Sequence, residues 1–271
     1  MKLRIKHLPT ITSTILAVLI IITTSLAFHY EHISSYIPYI SDTGTIAPES
    51  CIFGQFLNII WVILSFAMYC KFRQVTDILN KHNMTHKEAF NKYTFIMGLI
   101  AGFGISVVGN FQETNCFIVH WLGAVMCFGF GSIYLCMQTS IYLAITPVIG
   151  QMVLTKIRIV ISALSVITFI IFFISAMVSY TQFKGTSYLH WKYEDGGYEL
   201  HLISSVTEWL CAASIMTYVM LFKKEFEHTV VHEPIIDTGL IKPNNQFKRT
   251  ASNTTTEEKK VNRRKKPIRK D

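Results

Sequence analysis

Six apolar stretches of membrane-spanning length, each about 20 residues or a little more, constrain this chain more than anything else in it. They run from Leu8 to Phe28, Ile52 to Cys70, Thr94 to Asn110, Phe117 to Thr139, Ile157 to Ser179 and His201 to Phe222. Hydrocarbon offers no partner to a backbone N–H or C=O, so segments of this length cross it as helices that satisfy their own backbone. The sequence therefore predicts an all-α polytopic membrane protein with six transmembrane helices, and it excludes a soluble enzyme. The composition agrees, with 51% hydrophobic and only 15% charged residues. The third stretch is the shortest and has the least sharply marked ends. The first, with Lys2, Arg4 and Lys6 ahead of it and "TSLA" near its end, has some features of a secretory signal. Its apolar run is long for that role and reads as a retained signal anchor.

A net charge of +8 would suggest nucleic acid in a soluble chain, but here the charges sort by position. Lys2, Arg4 and Lys6 precede the first span, and Lys71, Arg73, Lys81, Lys87 and Lys92 fill the loop after the second. Lys156 and Arg158 flank the fifth span, and the segment after Phe222 is densely basic, whereas the alternate loops hold only Lys184 and Lys192. The positive-inside rule then predicts cytosolic termini and places the loops at 29–51, 111–116 and 180–200 outside or in a lumen. No nucleic-acid partner is expected. Residues 223–271 read as a basic, disordered cytosolic tail, with too few apolar side chains to offset ordering entropy. Its cluster from Lys259 to Lys270 is either a solvated topology signal or a patch attracted to anionic cytosolic-leaflet lipids.

The six cysteines show neither CxxC pairs nor zinc-finger spacing. Cys51 and Cys116 fall at the same non-cytosolic side in this topology, where a disulfide persists, so a Cys51–Cys116 bridge is an expectation. Glycines at 98, 102, 104 and 109, and again at 123, 129 and 131, suit close approach of helix backbones in lipid.

Polar groups inside the apolar stretches locate a candidate site. Glu208 lies about two turns into the sixth span, where an ionised carboxylate costs about 2.5–3.5 kcal/mol even on lenient insertion scales. It must be protonated, paired or wet. His201 lies seven residues earlier on nearly the same face, and Trp209 follows Glu208 directly. His120 sits about one turn into the fourth span, next to Gln112 and Glu113, and the first loop adds Asp42 and Glu49. These residues form a predicted luminal cluster of Asp42, Glu49, Gln112, Glu113, His120, His201, Glu208 and Trp209. Such a group can lock helices as a hydrogen-bond network, bind a lipid headgroup or proton, or act as an acid–base pair. Two of its members, His120 and His201, would also titrate in an acidifying lumen. It lacks HExxH-type spacing and any nucleophile motif, so no catalytic residue, metal or cofactor is assigned.

Three stretches carry a family resemblance. "PYISDTGT" with "PESCIFG", then "GNFQETNCFIVHWLGAV", then "LHWKYEDGGYELHLISSVTEW" together resemble the DNA damage-regulated autophagy modulator (DRAM) family, within the wider Frag/DRAM/Sfk six-span superfamily. The likeness covers residues 8–222 in order and leaves out the tail. Its motif loop comprises Pro38, Tyr39, Ser41, Asp42, Thr43, Gly44, Thr45, Pro48, Glu49 and Gly54, and Ala47 stands where many relatives carry a second proline. The resemblance implies a protein of lysosomal or endosomal membranes, with the plasma membrane also open, that promotes autophagy and influences cell survival. It implies no established enzymatic activity and points to membrane lipids and unidentified protein partners. Superfamily branches tied to GPI-anchor remodelling and phosphoinositide regulation supply the alternative: a lipid-remodelling enzyme or lipid-binding accessory that uses the His/Glu cluster.

Overall fold

A computed structural model describes residues 2–34 and 37–232, and the residues from Leu3 to Val231 form one compact unit. Six helices are long and apolar enough to cross a membrane. They are α1 (Leu8–His29), α2 (Glu49–Lys81), α3 (Glu88–Asn110), α4 (Phe117–Ile149), α5 (Met152–Gln182) and α6 (Tyr198–Glu225). Two three-residue strands, β1 (Lys2–Arg4) and β2 (Val230–His232), pair as a small ribbon.

The chain is thus a multi-pass membrane protein, and two of its helices, α2 and α4, run well past their apolar stretches. Helix α2 continues from Cys70 to Lys81 because Val75 and Leu79 keep helical spacing and bury against Ile141, Tyr142 and Ile145 of α4. That contact extends α4 from Thr139 to Ile149 as well, until Gly150 takes the left-handed conformation and ends it. Hydropathy follows what lipid touches; these extensions are held by helix–helix packing instead. Of the tail expected over 223–271, residues 223–225 still belong to α6, and 233–271 lie outside the described residues.

Helix α2 packs on α1 and α3, α3 on α4, and α5 along α6. Glycine sets the closest approach: a Cβ on Gly54 would lie 2.6 Å from the carbonyl oxygen of Gly109, so α2 and α3 meet there backbone to backbone. Hydroxyls join α4 to its neighbours, Ser132 to Ser165 at 2.7 Å, Thr146 to Thr155 at 2.6 Å and Thr139 to Tyr218 at 3.0 Å. Helix α4 widens into a π segment over Val125–Phe130, an irregularity that often accompanies a functional site.

Candidate functional site

The loops between α1 and α2, α3 and α4, and α5 and α6 share one end of the bundle, here the first-loop end. Its centre is occupied by the first loop itself. Every residue from Pro38 to Thr45 is buried, so this segment is a plug inserted among the helix ends. A buried loop must place its backbone polar groups, and several of its anchors can be identified. The indole N–H of Trp209 donates to the Pro38 carbonyl at 2.8 Å, and the backbone N–H of Ile40 donates to Glu208 Oε2 at 2.8 Å. The Tyr39 N–H donates to Asp42 Oδ2 at 3.0 Å, and the Thr43 hydroxyl donates to the Ile40 carbonyl at 2.8 Å. The Tyr39 hydroxyl bonds Ser204, and Thr43 meets Thr23 of α1 at 3.0 Å. Around Asp42–Gly44 the backbone makes one 3₁₀ turn, and there a side chain on Gly44 would run into the Phe53 ring.

The carboxyls of the cluster are anchored by different elements and come together at Asp42, which lies within hydrogen-bonding reach of Glu113. Glu113, in the α3–α4 loop, accepts the Tyr180 hydroxyl of α5, and Glu208 accepts the Ile40 N–H. Both face Asp42 closely enough to act on it electrostatically. Burial pushes the Asp42 carboxyl well above its ordinary range, and the negative charges of Glu113 and Glu208 push it the same way against the opposing Tyr39 hydrogen bond.

His120 lies 5% exposed, and its Nδ1 donates to the Phe111 carbonyl at 2.7 Å. A carbonyl only accepts, so this bond puts the proton on Nδ1 and leaves Nε2 of the neutral ring as an acceptor. His201 joins the cluster through aromatic contact. Trp191 stacks on its ring at 4.2 Å, Tyr39 meets it edge-on at 4.9 Å, and neither ring nitrogen has a hydrogen-bond partner among the described residues.

Two members of the predicted cluster sit apart from it. Glu49 turns to His32, whose Nδ1 lies 2.7 Å from its Oε1, because the first turn of α2 faces the end of α1. Among the described residues Gln112 bonds only within its own loop, with its Oε1 accepting from Asn115 at 3.4 Å. Cys51 and Cys116 are free thiols and both exposed, so the expected bridge between them is not formed. No three His, Cys, Asp or Glu side chains among the described residues converge as metal ligands would.

Below the plug a cavity of about 140 Å³ runs between α1, α2, α3 and α6, with α4 and α5 contributing at its upper end. Glu113, His120 and Glu208 line that end together with Tyr39, and the rest of the wall is almost wholly apolar.

Sequence reasoning missed a second polar cluster away from the plug. Lys71 of α2 donates to Glu225 and to the Tyr142 hydroxyl, and Arg158 of α5 pairs with the same Glu225. The Arg158 guanidinium lies 3.6 Å from the centre of the Tyr142 ring. In the sequence Lys71 and Arg158 read only as topology charges, yet they are 1% and 0% exposed. Their shared carboxylate is far away in sequence, which is why no local motif announced it.

A family model described as the Frag1/DRAM/Sfk1/Cwh43P N-terminal domain matches residues 5–229, and so covers the whole helical unit. The chain belongs to this family. Within the Frag1/DRAM/Sfk1 family it is similar to DNA damage-regulated autophagy modulator protein 2 of Homo sapiens, 35% identical over 225 residues, which cover 77% of this chain and 82% of the relative. DNA damage-regulated autophagy modulator protein 1 of Homo sapiens is 32% identical over 211 residues, covering 76% and 84% respectively. Modulator of macroautophagy TMEM150B-A of Xenopus laevis is 29% identical over 213 residues, covering 79% and 81%. No solved structure matches.

Proposed function

We propose that this chain is a non-enzymatic modulator of autophagy and cell survival in lysosomal or endosomal membranes, acting through protein partners or membrane lipids. The observation that carries this reading is the match over three quarters of the chain to relatives named as autophagy modulators. In this reading both termini are cytosolic and the plug faces the lumen, in keeping with the distribution of lysine and arginine. The site geometry supports a structural use of the polar cluster. Glu208 is bonded to a backbone amide, Glu113 to a tyrosine and His120 to a carbonyl, so each has one polar atom holding a loop or helix end.

The test is autophagic flux in cells lacking this protein, measured as lysosome-dependent turnover of an autophagosome membrane marker. Reduced flux, restored by the full chain, is expected. Unchanged flux together with a defined change in a membrane lipid, restored by the wild-type chain and not by His120→Ala, would replace the proposal with the lipid-remodelling reading.

A further inference from the structure

We propose that the cavity under the plug binds a single-chain amphiphile with a primary-amine head, the amine lying at Glu113, Glu208 and His120 and the chain running down between α2 and α6. This rests on the reading of the chain as a non-enzymatic protein acting through membrane lipids, and it adds a binding role to the structural one of the cluster.

The shape comes first. Phe53, Leu57, Ile60 and Leu64 form one stripe of α2 along the cavity, and Glu208, Ala212, Ile215 and Val219 form the matching stripe of α6. From Phe53 to Leu64 a helix rises about 16 Å, so the cavity is long as well as small. The lining runs as an elongated apolar slot, a shape that suits an alkyl chain. The polarity is that of an amphiphile: carboxyls, an imidazole and hydroxyls at one end, hydrocarbon along the rest.

The head chemistry follows from the charge and from the acceptors left open. Glu113 and Glu208 are 6% and 4% exposed, and each has one oxygen occupied, by the Tyr180 hydroxyl and the Ile40 N–H. The second oxygen of Glu208 accepts no hydrogen bond among the described residues, while Glu113 also has the Asp42 carboxyl beside it. His120 presents an acceptor at Nε2, because its proton is committed to Phe111. The Tyr180 and Tyr39 hydroxyls that line the same end already bond Glu113 and Ser204. No lysine or arginine lines the cavity. The Ser41 hydroxyl and the Trp121 indole line the cavity as neutral groups, so this end presents carboxyls with no facing cation. A primary ammonium supplies three donors, no acceptor and one positive charge, whereas a carboxylate or phosphate head would add acceptors and like charge. The three groups come from separate elements, α6, α4 and the α3–α4 loop, and the π segment of α4 widens the wall beside them through Cys127 and Phe128.

The experiment uses the full-length chain in lipid nanodiscs with three photoactivatable probes of identical C16 chain, ending in a primary amine, an alcohol or a carboxylic acid. The amine probe should label at least about fivefold more strongly than the acid, at peptides of α2 and α6 that line the slot. Excess unlabelled hexadecylamine should compete this signal away. Glu113→Gln and Glu208→Gln, checked for a monodisperse gel-filtration profile, should each reduce amine labelling severalfold and narrow its margin over the acid. Ala212→Phe, which fills the slot, should abolish labelling by all three probes. Equal or stronger labelling by the acid, or amine labelling spread over the lipid-facing surface and not competed, would overturn the proposal. These outcomes are read on the wild-type chain, so they stand even if a variant fails to fold. Selective binding with unchanged autophagic flux would sink the cellular role and keep the site; changed flux with no selective labelling would do the reverse.

Discussion

Glu208 in the sixth helix and Ile40 in the first loop, 168 residues apart in sequence, are joined by a hydrogen bond of 2.8 Å from a backbone amide to a carboxylate. A carboxylate inside a bilayer helix is costly, and this one is used to satisfy an amide that would otherwise be buried without a partner. Glu208→Ala leaves that amide unsatisfied and is expected to cost about 1–3 kcal/mol. Glu208→Gln keeps a carbonyl acceptor and should cost clearly less. Thermal unfolding of both variants in the same detergent decides the point, and equal losses would mean that charge matters and the bond does not.

The neighbouring Trp209 holds the same segment from the next position on α6, through Pro38. Trp209→Phe keeps most of the ring and removes the donor, an expected loss of about 0.5–1.5 kcal/mol. Because both anchors fix Pro38–Ile40, the two substitutions should not add. A double-mutant cycle with Glu208→Gln should return a coupling of about 0.5 kcal/mol or more. Strict additivity would show that the plug does not move as one piece.

Much of this arrangement was legible in the sequence. Apolar length gave the six helices, and Glu208, His120 and His201 stood out because polar groups in lipid need a reason. Partnership was not legible. Nothing in the local sequence separates Glu49, which turns to His32, from Glu113, which joins the central cluster, because the helix ends that decide it are distant in sequence. Lys71 read as an interfacial charge for the same reason: a basic residue at the end of an apolar run normally reaches water, and only the returning end of α6 buries it.

Asp42 makes stability depend on pH, and the sign follows from its environment. Its folded-state carboxyl titrates well above the ordinary range because of burial first, and then because of Glu113 and Glu208. Between the unfolded value, near 4, and the raised folded value, the native state binds more proton than the unfolded one. Stability is therefore fully present below about pH 4 and declines as pH rises through the folded value. Asp42→Asn keeps an acceptor for the Tyr39 N–H and removes the titration. Melting temperatures measured across that range should fall with pH in the wild-type chain and fall less in the variant. Parallel curves would remove Asp42 as the cause.

Cys51 and Cys116 report on topology, since both are free and exposed at the first-loop end. If that end faces the lumen, a membrane-impermeant maleimide should label both in opened vesicles and neither in sealed right-side-out organelles, while a tag on the C-terminal tail stays accessible throughout. Labelling of either thiol in sealed organelles would reverse the proposed orientation. Intact-mass analysis without reductant should show both thiols, and loss of two hydrogens on a Cys51–Cys116 peptide would restore the disulfide.

The cluster around Glu225 should matter for stability more than any single anchor of the plug, because it places two cations on one carboxylate. Lys71, Arg158 and Glu225 are 1%, 0% and 3% exposed at their side chains, so none is rescued by water when a partner is lost. Removing one member of a buried ion pair typically costs about 3–5 kcal/mol, most of it the penalty of the charge left behind. Glu225→Gln strands both cations and should fall at the top of that range, reducing yield as well as melting temperature. Lys71→Met leaves Arg158 and Glu225 as a neutral pair and fills similar volume, so its loss should be smaller even though it also gives up the bond to Tyr142. The order of the two melting temperatures is the measurement. If Lys71→Met is the more damaging, the lysine's bonds to Tyr142 and Gln74 outweigh the charge balance, and α2 is fixed to α4 by hydrogen bonding more than to α6 by charge.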